Sequence, residues 1–419
     1  MGIKNFRYNL PMKKQKHGKK ADIKKSSNAV FAMLRFILTP ILHSKYSFLF
    51  EYETSRDIKR PCVILANHQT AFDQFAVGIG FKFGINYIAS DSIFRHGFQS
   101  WLMKVLTQPI PFSKGSQDAS AIIKMFTVIK QGGAVGMFVS GNRSFFGEEC
   151  TLKPGIGKLV KKMGVPVVIA KMRGGYNIKP RWKSRPNKGK MRAGVTRVIK
   201  PEELASFSPE QLDEIIMKEI YFNEFEWNAV EKIEFTGKYK AEFLERALFY
   251  CPECKSLESL SSKGNEFFCA SCAMKVGINS IGTFDKINNA ANCPDTILEW
   301  SRMQLEYIKN IDFSVYTDKP VFSDQNVRLS MPIRSKKDKH LGKGAIEFFS
   351  DKIRICDRDF PVEKLKDMSI QSYNRLMIYM EDGEFTVDMS EKSNAVKYMI
   401  CGYHLKNTAH GIENGHYGY

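Results

Sequence analysis

The chain has 419 residues, 43% of them hydrophobic, and its 63 Lys and Arg against 44 Asp and Glu give a formal net charge of +19. That length holds roughly two to three domains, and the apolar and charged fractions are those of a globular chain with a sizeable core, which excludes a disordered or fibrous one. The positive excess calls for an anionic partner: membrane headgroups, acidic substrates or nucleic acid. Nine cysteines, an odd number without an extracellular spacing pattern, point to a reducing cytosol.

Residues 1–27 are polar and lysine-rich and read as a basic flexible tail. The apolar run from Ala29 to Leu42 follows. It is too short to span a bilayer, Arg35 and Pro40 interrupt it, and no small-residue cleavage site comes after it. The reading is an interfacial or re-entrant helix beside a basic arm, a combination suited to anionic lipid; an ordinary core helix is the alternative. No other segment reads as a span. The protein is therefore expected to sit on the cytoplasmic face of a membrane, peripheral or monotopic.

From Phe48 to about Ile199, strand-like runs alternate with helical ones, which predicts an α/β layer structure, a mixed sheet flanked by helices. Strands are expected at 62–66, 85–89, 109–113, 134–139 and 165–171, and helices at 71–80, 97–106, 117–131 and 153–163. The first of these strands ends at Asn67-His68, and Thr70-x-x-Asp73 then opens a helix in the manner of a capping box. His68 should thus sit on a strand-to-helix turn with Asp73 in the first helical turn, where an imidazole and a carboxylate can be aimed at each other. Taken alone, Asp73 also reads as a helix-terminus residue favoured by the macrodipole. Pro154-Gly155-x-Gly157 lacks the phosphate-loop form and reads as a helix start with a basic face. The stretch from Arg181 to Lys190 reads as an exposed basic loop able to touch headgroups. Residues 209–222 close the domain as a helix.

Four blocks in this order resemble the lysophosphatidate (glycerolipid) acyltransferase family. Asn67, His68 and Asp73 match its Asn-His-x4-Asp block. Ile110-Pro111-Phe112-Ser113-Lys114 looks like its second, with Lys114 where the family usually carries Arg. Phe138-Val139-Ser140-Gly141-Asn142-Arg143-Ser144 resembles its third, usually Phe-Pro-Glu-Gly-Thr-Arg-Ser, with Ser140 in place of the Glu. Gly164-Val165-Pro166-Val167-Val168-Ile169-Ala170 matches the fourth. The resemblance covers roughly residues 30–230 and implies acyl transfer from acyl-CoA or acyl carrier protein to a lysophospholipid, foremost lysophosphatidate. It makes His68 the general base, with Asp73 orienting its ring. Asn67, Phe112, Lys114, Gly141, Asn142 and Arg143 become the substrate-binding set, Lys114 and Arg143 on the glycerol phosphate. Ser140 motivates the alternative, a lipid-binding relative with weakened or lost turnover. It also leads to the expectation that Ser140→Glu raises activity or leaves it unchanged. No Gly-x-Ser-x-Gly elbow, Walker loop, dinucleotide fingerprint or His-Glu-x-x-His motif is present.

Cys251-x-x-Cys254 and Cys269-x-x-Cys272 form a zinc-ribbon pattern over 240–280. All four ligand positions are filled by thiolates, so the expected zinc is structural. The ribbon and the charge also motivate a nucleic-acid-binding zinc protein. That reading explains neither the ordered blocks nor the apolar run, so no specific nucleic acid is expected. Residues 281–405 read as an amphipathic helix followed by a β-rich, PH- or GRAM-like domain ending in a helix, and 406–419 as a loose tail.

Overall fold

The computed structural model describes residues 23–51, 57–90, 101, 104–112, 119–149, 151–153, 155–333, 338–412, 415 and 417. Most of the basic tail, most of the helix expected at 97–106, and Ser113, Lys114 and Pro154 lie outside these residues.

The first layer structure is a sheet of seven strands: β1 (Leu49–Glu51), β2 (Cys62–Ala66), β3 (Ile85–Ser90), β4 (Ile110–Phe112), β5 (Ala134–Phe138), β7 (Val167–Arg173) and β8 (Arg192–Ile199). A two-residue strand, β6 (Glu148–Glu149), intervenes and pairs instead with β9 (Phe222–Asn223). The sheet order is β1-β8-β7-β2-β5-β3-β4. All pairings are parallel except β7 with β8. β2 is therefore central, and every one of its residues is buried, as expected of a parallel strand covered on both faces. Successive residues face opposite cores: Ile64 joins Phe31, Phe50, Phe81 and Val168, while Val63 and Leu65 join Met125, Val160, Ile169 and Ile216. Helices α1 (Asn28–Tyr46), α2 (Asp73–Gly78), α3 (Ala119–Lys130), α4 (Ile156–Met163), α5 (Gly175–Ile178), α6 (Pro201–Ser206), α7 (Pro209–Ile220) and α8 (Glu224–Glu231) accompany the sheet.

The run at 29–42 is part of the 19-residue α1, which buries Phe31, Leu42 and Tyr46. Met33, Phe36, Ile37 and Ile41 stand exposed at helical spacing, Phe36 at 84%. Arg35 turns inward and donates to the Phe81 carbonyl at 3.1 Å. An apolar stripe facing out and a cation facing in reverse the usual pattern of a surface helix. Among the described residues no helix is long and apolar enough to cross a membrane.

The stretch 181–190 departs from its expectation. Arg181, Trp182, Lys183 and Asn187 are buried, and only part of the run is exposed. Trp182 belongs to a core that continues into the C-terminal half, and that burial drags its neighbours in.

The ribbon sheet is β10 (Leu260–Lys263), β11 (Glu266–Cys269), β12 (Lys275–Ile278) and β13 (Phe284–Asn288), a sequential antiparallel meander. It thus extends past residue 280. Helix α9 (Ile297–Lys309) opens on a complete capping box between Thr296 and Glu299. A seven-stranded antiparallel sheet follows: β14 (Phe322–Met331), β15 (Lys339–Phe348), β16 (Lys352–Ile355), β17 (Arg358–Pro361), β18 (Leu365–Gln371), β19 (Arg375–Met380) and β20 (Glu384–Asp388). Its order is β17-β16-β15-β14-β20-β19-β18. Helix α10 (Ala395–Ala409) packs on β18 and runs four residues into the expected tail. One hydrophobic cluster joins Phe145, Phe146, Tyr176 and Trp182 to ribbon residues such as Phe267 and to Trp300, Phe348 and Tyr398.

Candidate active site

His68 lies two residues past Ala66, at the carboxyl end of the central strand β2, where open α/β sheets present ligand sites. Its Nδ1 is 2.8 Å from Asp73 Oδ2. Asp73 is fully buried and collects further donors. The Gln69 and Thr70 backbone N–H groups reach Oδ2 at 2.6 and 2.9 Å, and the Thr70 hydroxyl donates to Oδ1. Half of the expected capping box is present: the acid takes the Thr70 N–H, but the helix begins only at Asp73 and no side chain caps it. The carboxylate that would have capped a helix instead orders the turn and fixes the imidazole. With Asp73 acting as an acceptor, Nδ1 carries the proton and Nε2 is left as the acceptor nitrogen.

The His68 ring stacks on Phe138, centroids 4.2 Å apart, and Phe138 on Tyr87 at 5.7 Å. Burial pushes the His68 pKa below the ordinary histidine value; the Asp73 hydrogen bond and charge oppose that, and Arg143 and Arg181 reinforce it. A ring held neutral near neutral pH is the form that accepts a proton.

The loop after β5 docks beside this turn. The Ser144 N–H donates to the His68 carbonyl at 2.8 Å, and the Val139 N–H to the Ala66 carbonyl at 3.3 Å. Gly141 has φ +72°, a left-handed conformation that glycine adopts without strain, and a Cβ there would press on Lys153. Ser140 donates to the Asn142 carbonyl at 2.7 Å. The Arg143 guanidinium makes no hydrogen bond or ion pair among the described residues, and burial lowers its pKa. Phe112 is half-buried at the end of β4, against the same core as Ile110. Asn67 is fully buried, and its amide grips Met172 at both ends, Nδ2 to the carbonyl at 2.9 Å and Oδ1 from the N–H at 2.7 Å. From this fully buried position it ties β2 to β7, a scaffold role beside the binding role expected of it.

Two buried acids escaped the sequence reading. Glu149 accepts the His68 backbone N–H at 3.1 Å and interacts with the Ser140 side chain. Pairing of β6 with β9 sets its register opposite Phe222. A carboxylate therefore stands beside Ser140, supplied from nine residues further along. Burial pushes its pKa up to about 8, against the Ser140 and His68 hydrogen bonds. Glu224, at the start of α8, accepts from Gln69 Nε2 and the Gly174 N–H, both at 3.1 Å, and from the Asn177 N–H at 3.2 Å. Gln69 Oε1 in turn takes the Gly175 N–H at 2.9 Å. Isolated acids in a sequence carry no such signal; only the pairing of distant segments creates it.

Glu149 changes what Ser140→Glu should do. A second carboxylate beside a buried one repels it, so Ser140→Glu is expected to lower kcat/KM. Glu149 is ionised above its pKa of about 8, where charged hydrogen bonds are worth about 1.5–3 kcal/mol, so at about pH 9 Glu149→Gln should cost roughly tenfold or more. The double variant Ser140→Glu, Glu149→Gln returns one carboxylate to the spot and should recover most of the loss and the wild-type pH profile. A double variant no better than Glu149→Gln would make Glu149 a purely structural acid.

The four cysteines converge as predicted. Their sulfurs all lie within 4.8 Å of one another, with Cys251 to Cys272 and Cys254 to Cys269 each 3.7 Å. Zn–S bonds of about 2.3 Å in a tetrahedron imply sulfur pairs about 3.8 Å apart, so the set fits a tetrahedral ion. Both knuckles turn alike: Lys255 and Ala273 have φ of +62° and +59°, and their N–H groups donate to the Cys251 and Cys269 carbonyls at 2.9 and 3.1 Å. The Ser259 hydroxyl lies 2.9 Å from the Cys269 sulfur as an outer-shell partner. With four thiolates and no open position, a metal here is structural.

The sheet, the turn and the pair define an α/β domain with an Asp-held histidine at the carboxyl end of its central strand. Residues 49–172 match the Acyltransferase family model, so this part of the chain is an acyltransferase-family domain. A comparison with curated proteins gives no match. Among solved structures, the chain is similar to the 1-acyl-sn-glycerophosphate (LPA) acyltransferase PlsC from Thermotoga maritima. The two are 18% identical over 45% of this chain and 78% of that one, with a TM-score of 0.39.

Proposed function

We propose that the chain transfers an acyl group from a thioester, carried by CoA or acyl carrier protein, to the free hydroxyl of a lysophospholipid, lysophosphatidate foremost. The observation that carries this reading is the 2.8 Å contact between His68 and the fully buried Asp73, close to the Arg143 guanidinium, which makes no hydrogen bond or ion pair among the described residues. The acceptor hydroxyl oxygen attacks the thioester carbonyl and its proton passes to His68 Nε2. The C–S bond then breaks and the leaving thiolate takes the proton from the imidazolium, which Asp73 stabilises meanwhile. Arg143 holds the phosphate as a planar fork, with Gly141 allowing close approach of the backbone. Lys114 adds a second cation.

In the same reading the exposed stripe of α1 rests at the headgroup–acyl boundary of an anionic membrane, on its cytoplasmic face. The four thiolates hold zinc, and the seven antiparallel strands with α10 form a PH- or GRAM-like domain. The antiparallel meanders and the closing helix support that last assignment. The alternative of a relative without turnover rests on Ser140, and Glu149 beside it weakens that motive.

Labelled acyl-CoA offered against a panel of lysophospholipids tests the activity. Lysophosphatidate should be acylated with release of free thiol, and failure with every lysophospholipid would sink the proposal. Within that assay Arg143→Ala should lower kcat/KM roughly ten- to a hundredfold. Lys114→Ala should cost less, since a neighbouring cation or water can replace a point charge more easily than a bidentate fork. Arg143→Lys indistinguishable from wild type would remove the bidentate argument.

A further inference from the structure

The acyltransferase domain and the C-terminal domain meet at a group of cations. Arg181 donates to the Arg143 carbonyl at 3.1 Å and to the Ile370 carbonyl, so one guanidinium bridges the loop after β5 and the end of β18. Its Nε is buried without a hydrogen-bond partner among the described residues. Just beyond Ile370, the turn between β18 and β19 presents Tyr373, which is 40% exposed. The turn is held by Asn374, whose Nδ2 donates to the Ser390 carbonyl at 2.7 Å. Lys179 Nζ lies 5.1 Å from the Tyr373 ring centre, and the Arg246 guanidinium 5.7 Å from it. Tyr373 is also close enough to Arg143 to act on its charge.

Like charges so close repel unless counter-ions stand among them. Here the anchoring groups are carbonyls. Lys179 donates to the carbonyls of Lys183, at 2.8 Å, and Ser184; Arg246 donates to those of Glu391 and Trp182 at 2.7 and 3.1 Å. None of Arg143, Lys179, Arg181 and Arg246 forms an ion pair with a carboxylate among the described residues. Glu391, Glu245 and Glu242 act on Arg246 from a distance. Burial, together with the further cations Arg143, Arg246 and Lys45 at the end of α1, brings the Lys179 pKa down to about 8.

We propose that Lys179, Arg246 and Tyr373, continuous with Arg143, form a second phosphate subsite across the domain junction. It takes a phosphomonoester carried by one substrate in addition to the phosphate that Arg143 holds. This rests on the acyl-transfer reading for its use, but not for its detection. Two substrate parts have that chemistry: a lysolipid headgroup bearing a further phosphate, and the 3′-phosphate region of CoA. Ammonium, guanidinium and a phenol hydroxyl are donors suited to a phosphate dianion, and a bound dianion relieves the mutual repulsion of the cations.

Binding to the full-length protein tests this without turnover. Calorimetry would compare inositol 1,4-bisphosphate with inositol 1-phosphate, and adenosine 3′,5′-bisphosphate with adenosine 5′-phosphate. One bisphosphate should bind about tenfold tighter than its monophosphate, and which of the two does so names the source. Lys179→Met and Tyr373→Leu should each shrink that ratio. The wild-type comparison stands even if Lys179→Met, which also loses its carbonyl anchors, fails to fold. Neither bisphosphate exceeding its monophosphate, or a preference that survives Tyr373→Leu and a folded Lys179→Met, would overturn the subsite. A protein that binds a bisphosphate selectively but transfers no acyl group would keep the subsite and sink the proposed reaction.

Discussion

His68→Ala is expected to lower acyl transfer by about 10²–10⁴-fold, the usual worth of a positioned general base, with lysolipid binding little changed. The substitution is structurally mild. The ring is 19% exposed, and the His68 backbone bonds to Glu149 and Ser144 survive it. What disappears is Nε2, the only acceptor the Asp73 pair presents to the substrate. The measurement is single-turnover transfer from labelled acyl-CoA, alongside binding of the lysolipid by the same protein. The pH profile adds an independent check. Burial holds the His68 pKa below the ordinary value of 6.5, so the base form persists on acidification and the acid limb of kcat/KM should fall below pH 6.5. A limb above that pH, or near-normal turnover of His68→Ala, would remove His68 from the role.

Cys254→Ser or Cys269→Ser is expected to release the metal and lower the Tm by about 10 °C or more. Structural zinc contributes apparent binding energies of about 10–16 kcal/mol in finger peptides, comparable to the whole stability of a domain of about 5–15 kcal/mol. Cys251 and Cys269 are buried within the hydrophobic cluster that also holds Phe145, Trp182 and Phe348. Loss of the ion should therefore loosen the junction as well as the ribbon. Metal analysis of protein purified under reducing conditions, with thermal unfolding of wild type and variants, checks both parts. Less than about half occupancy in wild type would count against the site, and an unchanged Tm against its structural weight.

Much of the first domain could be read from the sequence because its sheet is mostly parallel. A strand buried on both faces is written as an unbroken apolar run, and Cys62–Ala66 matches its expectation residue for residue. β8 was not anticipated. It lies between the edge strand β1, to which it is parallel, and β7, to which it is antiparallel; it carries Arg192, Thr196 and Arg197 among its apolar residues and follows a lysine-rich stretch. The histidine and its aspartate were visible because they sit five residues apart on one turn. Glu149, Arg181, Arg246 and Tyr373 were not, because each is brought to its place by pairing or packing between distant segments, a relation that no local spacing records. The loop 181–190 was misjudged for the same reason. Its charges suggest solvent, but Trp182 is buried in a core built largely from residues beyond 240.

That common core has a bearing on descent. In many multidomain chains a catalytic unit is a cassette, free to be duplicated, shuffled or joined to new neighbours because each piece covers its own apolar surface. Here Phe145 and Phe146, directly after Arg143 and Ser144, and Trp182 lie in the same interior as the ribbon and the last sheet. Cutting the chain between them would leave aromatic surface bare on both sides and would uncouple Arg181 from the Ile370 carbonyl. Neither half is therefore a free-standing cassette: joining either to a new neighbour would require that neighbour to cover the same aromatic surface.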